Sequence, residues 1–250
     1  MIEQAQRRAA RVAGVAFLLT ILVVAIINFG ITQRLLVPGS AAATARNILA
    51  NERAFRLGIA GNLVYAAGLL VLLSALYVVL RPVSRGLALL AAVSRLVYAG
   101  AWILMMLNFF SALRLLSGTE FARALGPAGS QALAHFYLNG YGEYYVGLLF
   151  WALASVACSW LWLKSCYIPR PLAIVGLITS AWCVGCTLVL YVFPDFPAVV
   201  NLWWLDAPMA LFEIVLAVWL LARGLQEPAG SGSVPVEARP ADAVIANATQ

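Results

Sequence analysis

The sequence predicts an all-α fold, a polytopic membrane bundle of six transmembrane helices with a short helix at the outer interface. Two observations carry this. Of the residues, 64% are hydrophobic and only 10% charged, with a mean hydropathy of +0.92, whereas a soluble domain is about 45–50% apolar and about 25% charged. Such a chain cannot cover its apolar surface in water, so most of its solvent must be lipid. The second observation is that the apolar residues fall into six runs, free or nearly free of charge, close to the ~20 residues that cross a bilayer as a helix.

The first run spans Val12 to Gln33, behind Arg7, Arg8 and Arg11. It is long for a secretory signal and is followed by further spans, so it reads as a retained signal-anchor. After Pro38-Gly39, Ser40 is placed to cap a short helix through Asn51. Ala41, Ala45, Ile48 and Leu49 lie on one side of it, as suits a helix on the membrane surface. The second run is Leu57 to Leu80; Gly58, Gly61 and Gly68 on it point to close helix packing. The third, Gly86 to Leu113, is broken only by Arg95, and the fourth, Phe136 to Leu163, only by Glu143. The fifth is Pro171 to Pro194. The sixth, Ala207 to Ala222, contains Glu213 and follows Asp206, which reads as an N-cap ahead of Pro208. Residues 1–225 therefore form one transmembrane domain. Residues 226–250 carry Pro228, Pro235 and Pro240, show no periodic apolar pattern, and read as a disordered C-terminal tail.

Two links are short and basic, Arg81 to Arg85 and Lys164 to Arg170, and each joins antiparallel neighbours. Basic short loops face the cytoplasm, so the even span count places both termini there. Eight basic residues then lie inside and six outside. Trp203 and Trp204 would mark the outer interface, Trp160 and Trp162 the inner one. No basic, aromatic-interleaved patch points to nucleic acid.

Several stretches carry a resemblance. They are Leu36-Val-Pro-Gly-Ser-Ala-Ala-Ala-Thr-Ala45, Phe55-Arg-Leu-Gly58, and Leu76-Tyr-Val-Val-Leu-Arg-Pro-Val-Ser-Arg85 running on to Arg95-Leu-Val97. Tyr167-Ile-Pro-Arg170 with Leu172-Ala-Ile-Val-Gly176 completes the set. Together they resemble the bacterial membrane family called domain of unknown function 4386, over roughly residues 7–225. The resemblance implies a bacterial inner-membrane protein. It brings no activity and no functional residues.

Much enzyme chemistry has no foothold in the residues. The single histidine, His135, gives no bis-histidine haem and no HExxH zinc site, and neither a G-x-S-x-G elbow nor a Walker A loop occurs. No cofactor is expected, and an enzyme is the less favoured reading. Cys158, Cys166, Cys183 and Cys186 lie in or beside apolar runs and read as small buried hydrophobes.

The informative residues are the charges within the spans. An ionised side chain at a helix centre costs about 2.5–3.5 kcal/mol on insertion scales, so Arg95, Glu143 and Glu213 should turn inward and pair. One cation against two carboxylates leaves a site for a proton or a cationic ligand; alternatively, the pair only fixes packing. Asn139 shares a helical face with Glu143. With Asn28, Asn62, Asn108 and the tyrosines 141, 144 and 145 it falls in the outer halves of the spans. Either an outward vestibule or ordinary interhelical hydrogen bonding accounts for that set. Arg95, Glu143, Glu213 and Asn139 are thus the candidate ligand or proton site. The expected function is small-ligand or proton binding, transport or sensing within the bundle. The alternative is a structural or regulatory subunit that acts through a membrane or cytoplasmic protein partner.

Overall fold

A computed structural model describes residues 2–138, 141–193 and 195–227, with the side chains of 141–143 and 197 outside the description. Among the described residues there is no strand. The helices are α1 (Gln4–Ile27), α2 (Gln33–Leu35), α3 (Ala41–Ala50), α4 (Glu52–Leu80), α5 (Arg85–Leu116), α6 (Glu120–Leu138), α7 (Tyr141–Ser165), α8 (Arg170–Val192), α9 (Phe196–Val199) and α10 (Trp203–Ala222). Six segments are long and apolar enough to cross a membrane: Gln4–Leu35, Glu52–Leu80, Arg85–Leu116, Tyr144–Ser165, Arg170–Val192 and Trp203–Ala222. The protein is a multi-pass membrane bundle.

The spans close into a ring in chain order. α1 packs on α4, α4 on α5, α5 on α7, α7 on α8, α8 on α10, and α10 returns to α1. Small residues set the close approaches, as expected where apolar attraction between helices is absent and van der Waals fit decides. A Cβ on Gly61 would lie 2.5 Å from Ile27, and one on Gly68 would lie 2.6 Å from Thr20, so both glycines let α4 meet α1. Gly176 admits the Phe212 ring between α8 and α10, and Gly14 faces the Ala217 carbonyl and Leu221 where α1 meets α10.

One end of the ring carries the short links. There Gln6 donates to the Val79 carbonyl and to the Tyr167 hydroxyl, tying the start of α1 to α4 and to the α7–α8 link. Leu225 is buried and the Gln226 N–H donates to the Tyr167 carbonyl at 2.8 Å. Glu227 meets Arg7 in an exposed ion pair. Residues 228–250 of the expected tail lie outside the described residues.

The other end carries the long loops, and several expectations change there. The first span ends in a π-turn, Asn28–Thr32, before α2. Ser40 caps α3 through the Ala43 N–H as expected, yet α3 packs on α6, with Ile48 and Ala45 buried and Leu49 exposed. α6 was not anticipated. It bends at Gly126, whose φ of 72° suits glycine, with Pro127 next; Ser130 ties the two halves by donating to the Ala122 carbonyl. Residues 136–138 of the expected fourth run belong to the last turn of α6, which hydropathy alone does not tell apart from the span. α10 begins at Trp203, so Asp206 stands inside its first turn rather than capping it. Pro208 has no N–H for the Trp204 carbonyl, and Trp182 Nε1 donates to that carbonyl instead, at 2.8 Å. Trp203 and Trp204 are exposed, as is Trp160, but Trp162 is wholly buried and belongs to the core rather than to an interface belt.

Candidate functional site

Arg95 lies ten residues into α5 and Glu213 ten residues into α10. At 1.5 Å per residue each is about 15 Å from its own helix start. The two starts are at opposite ends of the bundle, so both side chains reach the middle of a hydrocarbon core about 30 Å thick. Their residues are 2% and 3% exposed. In that setting an unpaired charge would be prohibitive, and the side chains meet: Arg95 Nη2 donates to Glu213 Oε1 at 2.5 Å. The ion pair spans the ring, since α5 and α10 are not ring neighbours.

Two residues of α7 complete it. Trp151 Nε1 and Ser155 Oγ donate to the same Oε1 at 2.9 and 2.8 Å, and Arg95 Nη2 also reaches Ser155 Oγ at 3.3 Å. Trp151 and Ser155 are four residues apart, which puts both on one helical face. The Arg95 guanidinium lies 5.3 Å from the Phe17 ring of α1, a cation–π placement. Four of the six ring helices thus meet at the ion pair, three of them at one carboxylate oxygen.

A cavity of about 490 Å³ opens above the pair. α1 contributes Phe17, Thr20 and Val24, and the π-turn Asn28; α4 contributes Tyr65 and Leu69; α5 contributes Arg95, Tyr98, Trp102 and Met106. Tyr144, Tyr145 and Trp151 come from α7, and Trp203, Asp206, Ala210 and Glu213 from α10. On α5 the wall repeats at 95, 98, 102 and 106, and on α10 at 203, 206, 210 and 213, the spacing of a single helical stripe. The exposed residues Phe29, Gln33 and Trp203 bring the cavity to the surface at the long-loop end. Phe29, on the π-turn, stacks on Trp203 with 5.5 Å between ring centroids. On the short-link side of Arg95 lies a void of about 10 Å³, lined by Leu76, Leu80, Ala88, Ala91 and Cys158 among others. That is at the limit of what holds a single water. The cavity is one-sided, and the ion pair is its floor.

Aromatic rings line the middle of the cavity. Tyr65 and Tyr98 join hydroxyls at 3.0 Å, and Trp102 meets Tyr65, Tyr98 and Tyr144 edge-on at 4.7, 6.4 and 6.1 Å between centroids. The Tyr144 hydroxyl donates to Asp206 Oδ2. The ion pairs among the described residues are Arg7–Glu227, Arg56–Glu52 and Arg95–Glu213, so Asp206 has no cation beside it.

Of the residues singled out from sequence, Arg95 and Glu213 come together. Glu143 stands in the first turn of α7 with its side chain outside the description, and Asn139 lies outside the described residues. Asn28 lines the cavity. Asn62 is instead buried against its own helix, donating to the Gly58 carbonyl at 3.0 Å. Cys158, Cys183 and Cys186 are buried, and no group of three His, Cys, Asp or Glu side chains forms among the described residues.

The family model described as Domain of unknown function (DUF4386) matches residues 12–224, nearly the whole of this bundle. The chain belongs to that family. The match covers every residue that lines the cavity, from Phe17 to Glu213. No curated protein and no solved structure matches the chain.

Proposed function

We propose that the protein is a bacterial inner-membrane bundle that binds a small ligand or a proton in its one-sided cavity, for transport or sensing. The single observation behind this reading is the cavity itself. About 490 Å³ is within the ~300–1,000 Å³ of small-molecule sites, and its apolar walls converge on a few placed polar groups. A bundle that needed Arg95 and Glu213 only as a packing pair would gain by filling this space, since close-packed cores are the more stable ones.

The orientation follows from the basic short links. Arg81, Arg85, Lys164 and Arg170 lie at the end opposite the cavity mouth, and basic short loops are retained in the cytoplasm. The cavity then opens to the periplasmic side, and both termini are cytoplasmic.

Ala210, on the α10 stripe between Asp206 and Glu213, gives the test. The Ala210→Trp variant places an indole midway along the cavity. Purified protein in maltoside detergent is screened for thermal shifts by a panel of small solutes, at several pH values. Solutes that raise the wild-type midpoint and leave that of Ala210→Trp unmoved support the reading. A panel that shifts neither protein, or both alike, refutes it.

A further inference from the structure

The chemistry of the wall narrows the ligand, given the reading of the cavity just proposed. Three charged side chains line it among the described residues: Arg95, Glu213 and Asp206. The first two neutralise each other at 2.5 Å. Asp206 is left over, half-buried, with a tyrosine hydroxyl as its side-chain partner and no cation beside it. Its place in the first turn of α10 favours a negative charge there, but does not cancel it. The site as it stands is therefore one positive charge short.

We propose that the cavity takes an organic monocation with an apolar body, an amine or quaternary ammonium, whose charge is held at Asp206. The aromatic side chains suit this. Tyr144, whose hydroxyl holds the carboxylate, meets Trp102 edge-on at 6.1 Å and Tyr145 at 5.3 Å between ring centroids. Aromatic rings grouped near a carboxylate suit an alkylated ammonium, which cannot be satisfied by hydrogen bonds alone. Asp206 and Glu213 are seven residues apart on one face, about 10 Å along the helix, with only the small Ala210 between them. The apolar body lies along that stretch, toward Tyr98 and Trp151 above the floor. Entry runs past the exposed Phe29–Trp203 stack at the mouth.

Other ligand classes fit less well. An anion would need a free cation, and Arg95 already has its carboxylate. A proton does not need the volume. A neutral apolar molecule would fill the space and leave Asp206 uncompensated.

The experiment uses the full chain in nanodiscs of zwitterionic lipid. Benzyltrimethylammonium is compared with its uncharged isostere neopentylbenzene, by quenching of tryptophan fluorescence and by thermal shift. The proposal expects saturable binding of the cation about tenfold tighter than the isostere, with the preference lost in Asp206→Asn. Should Asp206→Asn fail to fold, the wild-type comparison alone decides. If the isostere binds as well as the cation, and both are blocked in Ala210→Trp, the ligand class is overturned while the cavity reading survives. If neither compound binds, the ligand class is overturned as well. If the solute panel also shifts nothing, the cavity reading falls with it.

Discussion

Replacing Arg95 by methionine should destabilise the bundle, and removing its partner as well should restore part of the loss. The sizes follow from the contacts. Arg95→Met removes the cation from a carboxylate that is 3% exposed and still holds the Trp151 and Ser155 donors. Glu213→Gln keeps an oxygen for those donors but strands a guanidinium whose Nε already has no hydrogen-bond partner. Breaking a buried pair from one side costs about 3–5 kcal/mol. The two variants should not be equal, because a stranded carboxylate can take up a proton from solvent, while arginine does not give one up. Arg95→Met therefore belongs near the lower bound and Glu213→Gln near the upper. In the double variant both charges are gone, and the penalty should fall below either single one; with single losses near these bounds the coupling is at least about 5 kcal/mol. The assay is unfolding in mixed micelles by titration with a denaturing detergent, with helical circular dichroism as the readout. Single-variant losses that simply add, or an Arg95→Met protein as stable as wild type, would refute the buried-pair reasoning.

Other consequences are equally open to measurement. Trp151→Phe and Ser155→Ala each remove one donor from Glu213 Oε1, and each should cost about 1.5–3 kcal/mol in the same unfolding assay; no change in either would show that the α7 contacts are idle. Gly61→Val drives a side chain into Ile27, which already lies 2.5 Å from a Cβ at that position, and should lower stability by about 1–3 kcal/mol; wild-type stability would mean that α1 and α4 are not so closely packed. Truncation after Glu227 should leave the melting midpoint unchanged, whereas truncation after Gly224 removes buried Leu225 and the Gln226–Tyr167 bond and should lower it. Equal midpoints would show that this segment does not dock. Reporter fusions in the Arg81–Arg85 link and after Glu227 should both report cytoplasm, and a periplasmic signal at either would reverse the orientation.

The bundle was legible because lipid leaves an unmistakable mark on composition: six charge-poor runs map onto six spans. Arg95 and Glu213 were legible for the same reason, since a charge inside such a run has to find a partner. What surrounds them was not. Trp151 and Ser155 look like any span residues until α7 is set beside α10, although their four-residue spacing was visible. Asp206 looked like an N-cap because Pro208 follows it, and the true start of α10 at Trp203 rests on a carbonyl satisfied from Trp182, a contact across two helices. α6 escaped because it is an amphipathic helix packed on protein, and its last residues, Phe136 to Leu138, read as part of the apolar run that follows. The cavity depends on how the stripes of five helices diverge, which no one-dimensional pattern records.

The claim that joins these results is a cavity open at one end and floored by the ion pair. Thiol labelling tests it most directly. All four native cysteines are replaced, and single cysteines are introduced at Ala210, in the cavity wall, and at Ala88, beneath Arg95. Intact cells are then treated with a membrane-impermeant maleimide. The account predicts that Ala210→Cys is labelled from outside and that Ala88→Cys is not. Labelling of Ala88→Cys with Ala210→Cys protected, or of neither position even after the cells are opened, would contradict it.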